Sequence, residues 1–237
     1  MKRGELLTRT TKANGTLHQM GLKHRTDKCD EYHVHLRESY LDIYEKYFEE
    51  LRGSPINFLE LGIKRGCSLR LWKEYFPEAS IHGVDVNPNC QFDDDRIHTH
   101  QASQDDSEFL LNLSETVGGF DIILDDASHI NSLTIKSFDI LYDKCLRNNG
   151  VYIMEDLGNS YVDLSKHAGY WDGELLYNQS MGVDLSHKRE DMDNLFSSLI
   201  KRLDTQDSEI RSVQFWSRIA IILKGESRPQ YKIPSLW

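Results

Sequence analysis

The stretch Phe120-Asp-Ile-Ile-Leu-Asp-Asp-Ala-Ser-His129 joins an apolar run to two carboxylates and a histidine. A continuous apolar run is typical of a strand that is covered on both faces of a parallel sheet. Asp125, Asp126 and His129 would then lie at the carboxyl end of this strand, the edge where open α/β sheets bind their ligands. The stretch therefore predicts an α/β fold with a functional site at that edge.

A second stretch, Gly150-Val-Tyr-Ile-Met-Glu-Asp156, follows the same pattern and ends in two more carboxylates. A helix predicted over residues 132–146, closed by Asn148-Asn149-Gly150, separates the two strands and is long enough for a crossover connection. Sequential strands are usually neighbours in a sheet. If these two strands are neighbours, four carboxylates and one imidazole converge at one edge.

A glycine loop follows the strand predicted over residues 56–61. Gly62 and Gly66 let the backbone pass close to a ligand, and the helix predicted over residues 68–76 presents free N–H groups to it. The spacing differs from G-x-G-x-x-G, which disfavours a dinucleotide pyrophosphate site. Asp85 ends the next strand, 19 positions after Gly66, about where a nucleoside-binding βαβ unit has its ribose-binding carboxylate. The alternative for Asp85 is a solvated turn residue.

Alternation of strands and helices continues along the chain and indicates a parallel sheet with helices on both faces. Two strands near the end, residues 210–216 and 218–223, are too close in sequence for a crossover helix and should pair antiparallel. The fold class predicted is a Rossmann-like, doubly wound α/β domain with a mostly parallel seven-stranded sheet and an antiparallel C-terminal strand. The remaining predicted elements are strands at 80–85 and 96–100 and helices ending near 115 and spanning 190–203.

Composition limits the function. A chain of 237 residues can bury a sizeable core in one domain, and its net charge of −10 disfavours nucleic acid as the main partner. No run of 18 apolar residues and no signal-peptide pattern occurs, so we expect no membrane association and a cytoplasmic protein. The four cysteines form no C-x-x-C pair, which predicts reduced thiols: Cys29, Cys67, Cys90 and Cys145.

The first 50 residues differ in character from the rest. Residues 1–25 are polar and basic with no sustained period, which predicts a mobile or loosely docked arm. An amphipathic helix follows over residues 40–51, and its stripe of Leu41, Tyr44, Phe48 and Leu51 is typical of core packing. His33 and His35 more often belong to polar surface at such spacing.

Taken together, E-L-G-x-x-x-G at residues 60–66, the acid ending the second strand, D-D-A-S-H, E-D-L at residues 155–157 and the closing antiparallel pair resemble the class I S-adenosylmethionine-dependent methyltransferases. The similarity covers about residues 26–224. Within that superfamily the chain resembles the metal-dependent sugar O-methyltransferases of macrolide and related natural-product pathways. The motifs that carry this second resemblance are Thr26-Asp-Lys28, Phe76-Pro77, Asp126-Ala-Ser-His129, Glu155-Asp-Leu157 and Ser160-Tyr161.

The resemblance implies a site for S-adenosylmethionine. Its methionine and ribose part would be held by Glu60, Gly62 and Gly66, and its ribose hydroxyls by Asp85. Further cofactor-binding residues would be Ser103 and Gln104 near the adenine and Asp125 under the sulfonium.

The resemblance also implies a divalent cation, Mg²⁺ or a similar ion, bound by Asp126, Glu155 and Asp156. These are hard oxygen donors of the kind that Mg²⁺ accepts. His129 would be the general base, with Asp126 beside it as the second catalytic residue. A lone D-x-x-H could instead end a strand and cap the next helix. The acidic pair on the adjoining strand favours the metal site, because carboxylates in such a cluster repel one another unless a cation binds.

The implied reaction is transfer of a methyl group to a hydroxyl of a sugar or glycosylated small molecule. The implied domains are an N-terminal arm and helix capping the site (1–50), the methyltransferase domain (51–225) with a lid at about 158–189, and a tail (226–237). Lid aromatics such as Tyr161, Tyr170, Trp171 and Tyr177 would stack on a sugar or an aromatic ring.

Three alternatives stay open. The first is an O-methyltransferase acting on a catechol-type diol or on a phosphorylated or phosphoramidate metabolite. The second is a non-catalytic nucleoside-binding module, and the third is an NAD-linked dehydrogenase, which the absent G-x-G-x-x-G disfavours. The partner expected is a small-molecule acceptor, with no nucleic acid and no membrane, and homo-oligomerisation is left open.

Overall fold

The structure is a computed structural model, and it describes residues 15–32, 38–161, 188–205 and 209–226. One seven-stranded sheet forms its centre. The strands are β1 (Asn57–Leu61), β2 (Ser80–Asp85), β3 (Ile97–Gln101), β4 (Phe120–Asp125), β5 (Leu146–Met154), β6 (Ile210–Trp216) and β7 (Ile219–Lys224). The α-helices of the described residues are α1 (Thr16–His24), α2 (Tyr40–Phe48), α3 (Cys67–Tyr75), α4 (Ser107–Val117), α5 (Asn131–Lys144) and α6 (Arg189–Asp204).

The strand order is β3-β2-β1-β4-β5-β7-β6. The first five strands of that order are parallel, and β7 runs antiparallel to both of its neighbours, β5 and β6. The predicted Rossmann-like, mostly parallel sheet with an antiparallel C-terminal strand is therefore confirmed. The direction in which strands are added reverses between β1 and β4, and open α/β sheets bind ligands at such a switch point.

Apolar side chains cover both faces of the sheet because neighbouring residues of a strand point to opposite sides. Phe58 and Ile122 belong to the cluster under α1, α2 and α3, whereas Leu59 and Ile123 belong to the cluster under α4 and α5. All four side chains are fully buried. The central strands therefore need apolar residues at successive positions, which is the pattern that identified them in the sequence.

Strand register brings the acidic segments together. Leu61 pairs with Asp125, and Asp125 pairs with Met154. The next residues continue the contact, since the N–H of Glu155 donates to the carbonyl of Asp125 at 3.0 Å. The prediction that the acid-tipped strands are neighbours is confirmed.

The predicted end of the helix before β5 is wrong. Helix α5 ends at Lys144, and Asn148-Asn149-Gly150 lies inside β5 instead of closing the helix. Pairing of Leu146 with Phe120 starts the strand early and leaves an irregularity before Val151, with Asn149 in the left-handed region at φ +63°. Long-range pairing here overrides a local turn signal.

The predicted loosely docked arm is wrong for residues 16–24, which form α1 and pack against α2 and α3. Leu17 and His18 of this helix are fully buried. Gly21 of α1 packs closely against α2, because a Cβ there would lie 2.2 Å from Leu41 Cδ1.

Several predicted features lie outside the described residues: residues 1–14 of the arm, His33 and His35, most of the lid, and the tail after residue 226. None of the helices in the described part of the chain has the length and apolar character that a bilayer crossing requires.

Candidate active site

A cleft opens at the carboxyl ends of β1, β2 and β4. Four of the predicted cofactor-binding residues line it, namely Gly62, Asp85, Ser103 and Gln104. Its wall is completed by Val84, Val86, Ala102, Ala127, Ser128 and Leu133. Glu60, Gly66 and Asp125, the other three predicted residues, are not among the lining residues. Glu60 and Asp125 lie buried at strand positions beside the cleft.

The glycine loop is fixed to the end of β2. The Asp85 carboxylate accepts hydrogen bonds from the N–H groups of Ile63 at 2.8 Å, Lys64 at 3.1 Å and Asn87 at 2.8 Å. Asp85 is therefore an anchor for the loop and not only a solvated turn residue. Each carboxylate oxygen can accept more than one hydrogen bond, so capacity for a ligand hydroxyl is left.

Gly62 cannot be replaced without moving the cleft wall. Its φ is +92°, and a Cβ built on it would lie 2.2 Å from the carbonyl oxygen of Asp126. Gly66 directly precedes α3 and has a φ of +67°, and a Cβ there would lie 2.3 Å from the Phe92 ring. Both glycines are thus required by backbone conformation and close packing.

Gln104 ties three segments together behind the cleft. Its Nε2 donates to Ser137 at 2.9 Å and approaches Asp125 at 3.5 Å, while its Oε1 accepts from the N–H of Ser128 at 3.0 Å. Ser103 instead donates to Asp105 at 2.6 Å. Burial raises the pKa of Asp125 to about 7.

Lys28 lies at the centre of the carboxylate cluster. Its Nζ is 2.5 Å from Asp126 Oδ2, 2.9 Å from Glu155 Oε2 and 3.4 Å from Glu60 Oε1, and the side chain is 2% exposed. Burial alone would lower the pKa of Lys28, but the charges of Asp126, Glu155 and Glu60 raise it well above its usual value. Sequence reasoning gave this residue no role, although Thr26-Asp-Lys28 was among the motifs.

The two buried glutamates are held by separate donors. Glu60 accepts from Trp72 Nε1 at 2.8 Å, and burial raises its pKa to about 7 against the opposing charge of Lys28. Glu155 accepts from the Tyr44 hydroxyl at 2.7 Å in addition to Lys28. Burial, with the nearby charge of Asp126, raises the pKa of Glu155 above its usual value.

A more exposed cluster lies next to these glutamates. Ligand atoms of Asp126, His129 and Asp156 all lie within 4.8 Å of one another. His129 Nε2 is 3.7 Å from Asp126 Oδ1 and 3.8 Å from Asp156 Oδ2. Asp156 also accepts from the Tyr40 hydroxyl at 2.7 Å and lies 3.4 Å from Arg218 Nε. The structure thus brings Asp126, His129 and Asp156 together, with Glu155 beside them but engaged by Lys28 and Tyr44.

His129 and Asp156 both adopt left-handed backbone conformations, at φ +56° and +54°. Such conformations cost about 1–3 kcal/mol each in residues other than glycine, and they concentrate at functional sites. Oxygen and imidazole donors in reach of one another suit a divalent cation. The donor set therefore fits a metal ion at the sheet edge.

Comparisons with known proteins find similarity to sugar O-methyltransferases. No family model matches the chain. It is 39% identical over 163 residues, 66% of its length, to 8-demethyl-8-(2-methoxy-alpha-L-rhamnosyl)-tetracenomycin-C 3'-O-methyltransferase of Streptomyces olivaceus. It is 37% identical over 125 residues, half of its length, to mycinamicin VI 2''-O-methyltransferase of Micromonospora griseorubida. The similarity to sugar O-methyltransferases that the motifs indicated is confirmed.

Among solved structures, 92% of the chain superposes on the MycE methyltransferase of the mycinamycin biosynthetic pathway, in complex with Mg, SAH and mycinamycin VI, with a TM-score of 0.69 and 27% identity. The chain spans 58% of that protein, 40% of the tetracenomycin enzyme and 31% of the mycinamicin enzyme.

Proposed function

We propose that this chain is the methyltransferase domain of a metal-dependent sugar O-methyltransferase, which transfers the methyl group of S-adenosylmethionine to a sugar hydroxyl of a glycosylated small molecule. The observation that carries the proposal is the Asp126, His129 and Asp156 cluster, which shares a sheet edge with the Gly62–Asp85 cleft. The MycE complex with Mg, SAH and mycinamycin VI supports it, because this chain superposes on that protein over 92% of its length.

The cleft would take the nucleoside part of the cofactor. Asp85 would accept hydrogen bonds from the ribose hydroxyls, and Ser103 and Gln104 would lie near the adenine. Glu60 would bind the methionine ammonium, because its buried Oε1 accepts no hydrogen bond and has only an ion-pair contact with Lys28 Nζ at 3.4 Å. A buried carboxylate oxygen that accepts no hydrogen bond is costly, and a cationic donor at hydrogen-bond distance stabilises it.

Asp126 and Asp156 would hold the metal ion, with Glu155 as the third predicted ligand. A bound divalent cation lowers the pKa of a coordinated hydroxyl and fixes its position. The carboxylate oxygens are hard donors, which favours Mg²⁺ over softer metals. The left-handed backbone conformation of Asp156 and the hydrogen bond from Tyr40 together fix the orientation of the Asp156 carboxylate.

His129 would remove the proton of the acceptor hydroxyl through Nε2. Its imidazole is 12% exposed and lies within 4 Å of the Asp126 and Asp156 carboxylates. Asp126 and Asp156 orient the ring and stabilise the imidazolium that forms. The sulfonium is already activated, so alignment of the hydroxyl with the methyl carbon is the main further requirement and can lower the barrier by ~7–11 kcal/mol.

The test is methyl transfer from labelled S-adenosylmethionine to a panel of rhamnosylated polyketides, their aglycones and simple catechols, with Mg²⁺ and with excess EDTA. We expect methylation of glycosylated acceptors only, and only with the ion. Asp126→Asn should need a higher Mg²⁺ concentration for this activity, whereas Asp193→Asn, on the exposed face of α6 with a side chain 58% exposed, should match the unsubstituted protein. Transfer in EDTA would overturn the metal role, and equal transfer to catechols would favour the diol alternative.

A further inference from the structure

We propose that the Lys28 ammonium is an internal counter-cation that occupies a pocket of three carboxylates. It holds Glu60, on the side of the cofactor, and Asp126 and Glu155, on the side of the ion, in one arrangement before a divalent ion binds. The terms cofactor side and ion side rest on the proposed function. The pocket itself rests only on the contacts of Lys28. Because Lys28 touches no reacting atom in this account, it is a positioning residue.

The three carboxylates that meet at Lys28 come from three adjacent strand ends. Glu60 lies in β1, Asp126 follows β4 and Glu155 follows β5. One oxygen of each lies within 3.4 Å of the ammonium nitrogen. No other lysine or arginine among the described residues is within 4.0 Å of these three carboxylates. A single buried cation therefore joins three strands.

The backbone of Lys28 is fixed from the other side. Its carbonyl accepts hydrogen bonds from the N–H of Tyr40 at 3.0 Å and from the Ser39 hydroxyl at 3.2 Å, at the start of α2. The same helix sends the hydroxyls of Tyr40 and Tyr44 to Asp156 and Glu155, each at 2.7 Å. Lys28 and α2 thus form one wall that closes the carboxylate edge.

Charge explains why the contact needs a cation and not merely a hydrogen-bond donor. Three carboxylates that surround one buried position repel one another strongly when all of them are ionised. Removing the lysine that neutralises buried carboxylates is far more destabilising than losing an exposed ion pair. An ordinary surface ion pair is available for comparison, because Lys64 in the glycine loop contacts Asp27 at 2.8 Å while 76% exposed.

The test is Lys28→Ala, which removes the ammonium and leaves a space bounded by three carboxylate oxygens. Thermal unfolding is measured in EDTA, in Mn²⁺ and in EDTA with ethylammonium chloride, which carries the deleted ammonium and a short apolar stem. Bound Mn²⁺ is counted by calorimetric titration. Lys64→Ala and the unsubstituted protein are the controls.

We expect Lys28→Ala to melt roughly 10 °C lower than the unsubstituted protein in EDTA. Mn²⁺ and ethylammonium should each restore most of that loss, and the variant should bind one Mn²⁺ more per chain. Lys64→Ala should behave as the unsubstituted protein does under every condition. If Lys28→Ala does not fold, Lys28→Gln, which keeps amide donors without the charge, is judged by the same recovery.

Equal responses to both cations in Lys28→Ala and in the unsubstituted protein would overturn the inference. Failure of the proposed function is a separate result: the unsubstituted protein would then bind no Mn²⁺ at all. The ethylammonium measurement still decides the role of Lys28 in that case, because it requires no metal site.

Discussion

Replacement of Gly62 by alanine should damage the fold and the cofactor cleft together. The ideal Cβ would lie 2.2 Å from the Asp126 carbonyl oxygen, 2.9 Å from the Asp126 carbonyl carbon and 3.1 Å from Ala127 Cα. All three are backbone atoms, so no side-chain rotation relieves the contact. The loop after β4 must move, and with it the Asp126 carboxylate and the Ala127 wall of the cleft.

Two costs add. A residue other than glycine in the left-handed region costs about 1–3 kcal/mol, and forced overpacking costs about 1–3 kcal/mol more. We therefore expect Gly62→Ala to lower the free energy of unfolding by about 2–6 kcal/mol. Displacement of the cleft wall should weaken S-adenosylhomocysteine binding at least tenfold, which corresponds to about 1.4 kcal/mol.

Urea unfolding and calorimetric titration with S-adenosylhomocysteine measure both effects. The matched control is Gly53→Ala, because no atom lies within 4 Å of its ideal Cβ and its φ is outside the left-handed region. That variant should stay within about 0.5 kcal/mol of the unsubstituted protein. If Gly62→Ala is as stable as Gly53→Ala and binds the ligand as tightly, the close approach of Gly62 to Asp126 is refuted.

Three further predictions concern the site and the edge of the sheet. His129→Ala should bind S-adenosylhomocysteine normally by calorimetry but turn over about 10²–10⁴-fold more slowly, and unchanged turnover would remove His129 from the mechanism. Asp126→Asn should need a higher Mg²⁺ concentration for half-maximal activity, and a Mg²⁺ titration that matches the unsubstituted protein would contradict its ligand role. Burial, with His98 and His100, lowers the pKa of His82 to about 4 in the folded protein. As pH falls, His82 is therefore protonated in the unfolded chain before it is protonated in the folded protein, which favours unfolding. Stability should therefore fall by at most about 3 kcal/mol between pH 6.5 and 4, and His82→Gln should lose less in urea titrations at the two pH values.

The mostly parallel sheet and the convergence of acidic residues could be predicted because they follow from local patterns. Apolar runs mark the buried strands, and parallel pairing brings the ends of β4 and β5 to one edge. Asp126 and Asp156 could thus be assigned to one cluster although 30 positions separate them. The cleft residues Gly62 and Asp85 followed from the strand, loop and helix pattern in the same way.

The role of Lys28 could not be predicted, because its partners Asp126 and Glu155 are 98 and 127 positions away. Tyr44 was assigned to core packing, and it is fully buried, but its hydroxyl also binds Glu155. Docking of α1 against α2 and α3 involves long-range contacts, such as the close approach of Gly21 to Leu41, which no local pattern contains. The ligand roles, the domain boundaries, the oligomeric state and the cytoplasmic location stay predictions.

The central claim is that the cleft binds S-adenosylmethionine beside a separate ion site. Calorimetric titration with S-adenosylmethionine, in Mg²⁺ and after EDTA treatment, tests it most directly when the unsubstituted protein, Asp85→Ala and Asp126→Asn are compared. We predict binding that is largely indifferent to the ion, that is retained in Asp126→Asn and that is weakened in Asp85→Ala. No binding under any condition would contradict the methyltransferase assignment and favour a non-catalytic module.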